Sequence, residues 1–174
     1  MKITIILSLV LTLFFSAFVS AKVHTGVEVD IKAVKGNLNN DQDVLVKVTY
    51  KNRTSQAIKL LKWYLPDVNG NIEDGIFNIS HNGASIDYLG RHYKRPAPEE
   101  VDYFTLRPHK KVSYIVDLTT LYDFYEEGLY QIHLEVDNEA MFGLIDRSQS
   151  ANNRPSALKS NKPIDVYVGK GVVA

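Results

Sequence analysis

Val44, Val46, Val48 and Tyr50 occupy alternate positions, with Leu45, Lys47, Thr49 and Lys51 between them. Successive side chains of a strand point to opposite faces, so this period of two predicts a half-buried β-strand, with Leu45 as its one apolar exception. Val27, Val29 and Ile31 alternate with Glu28, Asp30 and Lys32 in the same way. Further strand-like segments fall at residues 57–64, 75–80, 85–89, 103–106, 110–118, 128–136 and 163–168. Asn82-Gly83 joins two of them as a tight hairpin, because both residues tolerate the positive φ of a type I′ turn. Helix signals are few: one turn over 119–125 after a threonine cap, and a weaker candidate at 138–146. About eight or nine short strands with frequent turns predict an all-β fold, an immunoglobulin-like antiparallel β-sandwich with under about a tenth helix. Tyr130, early in a late strand, reads equally as a residue packed at a sheet corner or as an ordinary exposed tyrosine. Residues 147–162 are polar and turn-rich and predict a mobile loop before the last strand.

The first 21 residues have the layout of a secretory signal. Lys2 opens it, residues 3–19 are apolar, and Val19-Ser20-Ala21 makes a small-residue cleavage site. Ser8, Thr12 and Ser16 weaken the run as a membrane anchor. The expectation is a signal peptide at 1–21 and a single domain at 22–174, secreted or periplasmic, with no stable membrane insertion after cleavage. Without Lys2 the balance is 19 basic against 20 acidic residues. So neutral a chain has no electrostatic reason to seek nucleic acid or anionic lipid. It has no cysteine, so an exported fold must stand on its core without disulfides. Asn52-Arg53-Thr54 and Asn78-Ile79-Ser80 match the glycan acceptor pattern, which matters only in a eukaryotic host.

Catalytic chemistry finds little footing. The histidines (24, 81, 92, 109 and 133) include no pair at i, i+4, and there is no His-Glu-x-x-His. Asp67, Asn69, Asn71 and Glu73 alternate as calcium ligands do. However, the glycine stands fourth rather than sixth and Asn78 falls where a bidentate acid is needed, so a solvated turn is expected. No Gly-x-Ser-x-Gly elbow occurs. Glu99-Glu100 and Glu126-Glu127 are adjacent pairs, which on a strand face opposite sides and make no acid/base dyad. No catalytic residue, metal or cofactor is expected. The unusual surface candidate is residues 91–102 (RHYKRPAPEEVD), where Arg91, His92, Lys94 and Arg95 precede two prolines and the acids Glu99, Glu100 and Asp102. Pro96 and Pro98 force extended geometry on the residues before them, so the strip is either a stiff binding segment or a plain inter-sheet connection.

Lys62-Trp63-Tyr64, Ile76-Phe77, Asn82-Gly83 and Tyr88-Leu89-Gly90 belong to a longer series of short motifs. The series continues through Lys94-Arg95-Pro96-Ala97-Pro98, Asp102-Tyr103, Thr105-Leu106, Val116-Asp117-Leu118 and Gly128-Leu129-Tyr130. Together they resemble the N-terminal, non-catalytic domain of secreted peptidases of the deuterolysin and peptidyl-Lys metalloendopeptidase family. Residues 67–74 depart from that pattern by being longer and more polar. The resemblance implies a pro-region-like protein without the catalytic domain. It would act as chaperone or inhibitor of a secreted metalloprotease, serve as a general binding module for another exported protein, or be the remnant of a peptidase gene. Carried over position by position, it makes Lys94, Arg95, Pro96, Asp102 and Tyr103 the partner-facing residues, with Lys94 and Arg95 suited to the acidic pocket of a lysine-preferring member. Trp63, Tyr64, Phe77 and Tyr88 are expected in the core or at its rim, with Trp63 substantially buried beside Leu60, Leu61 and Leu65.

Overall fold

The computed structural model describes residues 26–142 and 157–170. The signal-like segment, the expected loop up to residue 156 and the end of the second helix candidate lie outside them. The first alternating segments form strands as predicted, and the structure pairs them with each other. Strand β1 (Val27–Ala33) runs antiparallel to β3 (Leu45–Asn52), with Val29 opposite Tyr50 and Ile31 opposite Val48. β3 in turn pairs antiparallel with β8 (Lys111–Asp117), Val46 lying opposite Val116. The inward members Val29, Val46, Val48, Tyr50 and Val116 are all fully buried. Between β1 and β3 lies the short β2 (Asn37–Asn39).

β3 then continues across a break. Residues 53–57 bulge out, after which β4 (Ile58–Leu61) pairs antiparallel with β7 (Tyr103–Leu106). Asn52, a fully buried polar residue, holds the junction. Its Nδ2 donates to the carbonyls of Gln56 (2.7 Å) and Leu106 (3.0 Å), and its Oδ1 accepts from the backbone N–H and hydroxyl of Thr54, both at 2.8 Å. An amide so satisfied and enclosed is unavailable to a glycan in the folded chain.

The second sheet is built around β9 (Gly128–Asp137), whose Tyr130, Ile132, Leu134 and Val136 point into the core. β5 (Phe77–His81) pairs with one edge of β9 and with β6 (Ala84–Ile86). β11 (Ile164–Gly169) and β10 (Ala157–Lys159) pair with the other edge. All these ladders are antiparallel; β2 alone joins β11 in parallel. Asn82 (φ 50°) and Gly83 (φ 82°) close the β5–β6 hairpin with the positive angles expected of them.

The three-stranded and six-stranded sheets, with the separate β4–β7 ladder, enclose one apolar core, so the fold is the predicted immunoglobulin-like sandwich. Among the described residues helix is confined to α1 (Asn138–Phe142) and two three-residue 3-10 turns. Tyr130 resolves as the corner residue: it is 1% exposed and its hydroxyl donates to the Glu126 carbonyl at 2.7 Å.

Several expectations change. Among the described residues there are eleven strands rather than eight or nine. β2 was missed because Leu38 is its one apolar residue, and β10 because its three residues sit in a stretch that reads as loop. The segment expected as a strand at 85–89 ends at Ile86, and 119–125 forms turns without a helix. Trp63 is only half-buried and stands outside the core, on the 3-10 turn Lys62–Tyr64 that ends β4. Its ring faces the connecting segment instead.

Candidate functional site

Residues 87–99 cross the surface without helix or strand and are fastened at both ends. At the first end the Leu89 N–H donates to the Leu121 carbonyl at 2.8 Å. The Tyr88 ring packs against Tyr122 (5.5 Å between centroids) and His92 (5.7 Å), and burial pushes its phenol pKa up. At the far end Glu99 and Asp102 form a capping box on the 3-10 turn Glu100–Asp102, with Asp102 Oδ2 accepting from the Glu99 N–H at 2.8 Å. Lys62 Nζ donates to the Val101 carbonyl at 2.7 Å, and Lys59 pairs with Glu100.

Arg95 is the central fastening. Its guanidinium lies 4.9 Å from the Trp63 ring centroid and 5.0 Å from that of Tyr93. Nη2 also reaches Glu73 Oε2 at 2.7 Å. A cation held by two rings and a carboxylate, with 19% of its side chain exposed, is committed to its own fold.

The five residues expected to face a partner therefore divide. Lys94 and Pro96 are exposed, and Lys94 has no side-chain partner among the described residues. Arg95 and Asp102 are engaged internally. Tyr103 is half-buried at the start of β7, opposite Leu61. Lys94, Arg95 and Pro96 share the strap, whereas Asp102 and Tyr103 belong to its base.

Leu89 also lines a cleft of about 540 Å³ at one pole of the sandwich, with Phe124, Tyr125, Thr120, Asp123 and Gln42 among its other walls. Tyr125 is 91% exposed and Leu89 63%. Exposed aromatic and aliphatic residues around a polar-rimmed hollow have the composition of contact surface. Sequence reasoning missed Leu89 and Tyr125 in this role, as it missed Trp63 and Glu73 as the holders of Arg95. The adjacent aromatics Phe124-Tyr125 carried the one local signal, since on an extended chain one of the two must face outward.

The acidic loop at 67–74 closes on itself. Asp67 Oδ1 accepts from the N–H groups of Asn69 (2.8 Å) and Asn71 (2.9 Å), and Oδ2 accepts from Asn71 Nδ2 (2.9 Å). The Asn71 side chain, followed by these backbone bonds, holds the Asp67 carboxyl below its ordinary range. Gly70, at φ 85°, lies against the free edge of β8, where a Cβ would come within 1.9 Å of the Ile115 carbonyl. The loop is thus an Asx-type turn that covers a strand edge. Among the described residues no group of three or more His, Cys, Asp or Glu side chains could hold a metal ion. No described helix is long and apolar enough to cross a membrane.

Fold and surface together define an immunoglobulin-like β-sandwich carrying a fastened surface strap. No family model matches the chain. Over 126 residues, 72% of its length, it is 29% identical to an extracellular protease of Aeromonas hydrophila. That alignment takes in 35% of the protease, so the chain spans about a third of the relative it matches. Among solved structures, the CARDB domain of the PF1109 protein of Pyrococcus furiosus, in complex with di-metal ions, superposes with a TM-score of 0.42 at 17% identity. The superposition covers 83% of this chain and 94% of that domain.

Proposed function

We propose that this protein is an exported, non-enzymatic module that associates with a secreted protease and acts on it as a pro-domain-like chaperone or inhibitor. The observation that carries the reading is the 126-residue likeness to about a third of an extracellular protease. The motif series resembling deuterolysin and peptidyl-Lys metalloendopeptidase pro-regions points the same way. A stable sandwich with a surface strap suits such a role, because a partner that guides or blocks a protease needs a rigid presented surface and no chemistry of its own. The test mixes the purified protein with the Aeromonas hydrophila extracellular protease, both during its refolding and after it is active. Higher refolding yield supports the chaperone, and reduced casein cleavage supports the inhibitor. Neither effect, with no complex by gel filtration, removes the reading; casein cleavage by this protein alone removes its non-enzymatic part. A second reading, a binding module for some other exported protein, draws on the cleft beside Leu89 and Tyr125. Capture by that cleft without any effect on proteases would favour it.

A further inference from the structure

The strap separates two kinds of residue. Its backbone between Gly90 and Pro98 forms no backbone hydrogen bond among the described residues. Yet it is held on both sides, by Tyr88 and Leu89 at one end and by Arg95 and the Glu99–Asp102 cap at the other. Within the span so fixed, His92 leans on Tyr88 and Tyr93 on Arg95. Arg91 and Lys94 engage nothing among the described residues, and both are exposed. Peptide N–H and C=O groups in that state are free to pair with the strand-like wall of a groove, and their conformational entropy is already reduced by the fastenings.

We propose that residues 91–95 form a substrate-like segment for an endopeptidase whose specificity pocket is acidic, with Lys94 as the inserted side chain and Arg95 as a positioning residue that holds it out. The inference deepens the protease reading and rests on it for the class of partner. A lysine entering a carboxylate-lined pocket exchanges water for a charge-assisted hydrogen bond. Arg95 cannot do so without leaving Trp63, Tyr93 and Glu73. Pro96 directly follows Arg95, and Pro98 stiffens the exit. Of the segment's cations Arg91 and Lys94 are free and Arg95 is spent; Lys94 is the one that stands between Tyr93 and Arg95, which pack on each other, a distinction invisible in the string Lys94-Arg95.

The experiment uses trypsin made inactive by replacing its nucleophilic serine, because trypsin's specificity pocket contains a buried acid. Binding of the purified protein is followed by competition with a lysine-containing fluorescent peptide. The expected result is competition that Lys94→Ala weakens at least about thirtyfold, that Lys94→Arg retains, and that Arg91→Ala changes by less than about threefold. Arg95→Ala should weaken binding and also lower the backbone NMR order parameters of residues 91–95, which a mere contact residue would leave unmoved. No competition by the wild type, or equal competition by Lys94→Ala with its folding intact, overturns the assignment. Binding to the Aeromonas hydrophila protease is measured in parallel. Loss of that interaction alone, with trypsin binding retained, removes the association with that protease and leaves the strap's chemistry standing.

Discussion

Tyr130 and Tyr50 both bury a phenol, but only Tyr130 finds an acceptor. The Tyr130 hydroxyl donates to the Glu126 carbonyl, whereas the Tyr50 hydroxyl has no hydrogen-bond partner among the described residues. Burial pushes the Tyr50 phenol pKa well above its ordinary value, so it stays neutral and bears only the cost of lost water. The same deletion should therefore have opposite signs. Tyr130→Phe is expected to lower stability by about 1–2 kcal/mol, because it orphans a carbonyl at the corner. Tyr50→Phe is expected to raise it by about 1 kcal/mol, through removal of an unsatisfied group. Urea unfolding of the two variants beside the wild type checks both, and equal losses would contradict the difference in bonding. Asn52 is a third case, since its side chain replaces the ladder where β3 breaks. Asn52→Ala should cost more than about 2 kcal/mol in the same measurement.

The strap and the loop at 67–74 are elements without regular structure, and each is held by a specific contact. Arg95 over Trp63 couples residues far apart in sequence. In a double-mutant cycle of Trp63→Ala and Arg95→Ala, the two losses should fail to add by about 0.5–1 kcal/mol. Additive losses would mean the ring and the guanidinium do not meet in solution. Because Trp63 is half-buried, its truncation alone should fall below the about 3–5 kcal/mol typical of a core aromatic. The loop depends on closeness rather than charge. Gly70→Ala places a methyl against the Ile115 carbonyl at a positive φ. It should cost about 2 kcal/mol or more and expose the β8 edge, seen as faster amide exchange in residues 111–117. A neutral Gly70→Ala would show that the loop does not sit on that edge.

Across the whole molecule, stability comes from the core between the sheets, with surface charge as a small modifier. Hydrogen bonding from Arg53, first among several causes, lowers the Glu28 carboxyl pKa, and Lys159 does the same for Glu135. With Asp67, these are groups whose folded pKa lies below the unfolded one. Their contribution is complete above the usual carboxylate range and is lost as pH falls below that range and through the lowered folded pKa. The urea midpoint should thus be lower at pH 3 than at pH 6; since the pairs are largely solvated, the change should be modest and should shrink in high salt. An unchanged midpoint would remove these carboxylates from the stability of the fold. The sandwich was legible in the sequence because period-two alternation is a local consequence of burying one face of a strand, and Asn82-Gly83 a local consequence of a tight turn. Val29, Val46, Val48 and Tyr50 could be placed on that ground alone. What depended on distant partners was not legible. β2 exists because β11 lies beside it, β10 because β9 does, and Trp63 left the core because Arg95 and the strap offered its ring another partner. The identity of the free cation was decided in the same way. Lys94 and Arg95 are neighbours of equal charge in the sequence, and only the tertiary structure, by putting two rings and a carboxylate around Arg95, leaves Lys94 exposed to solvent.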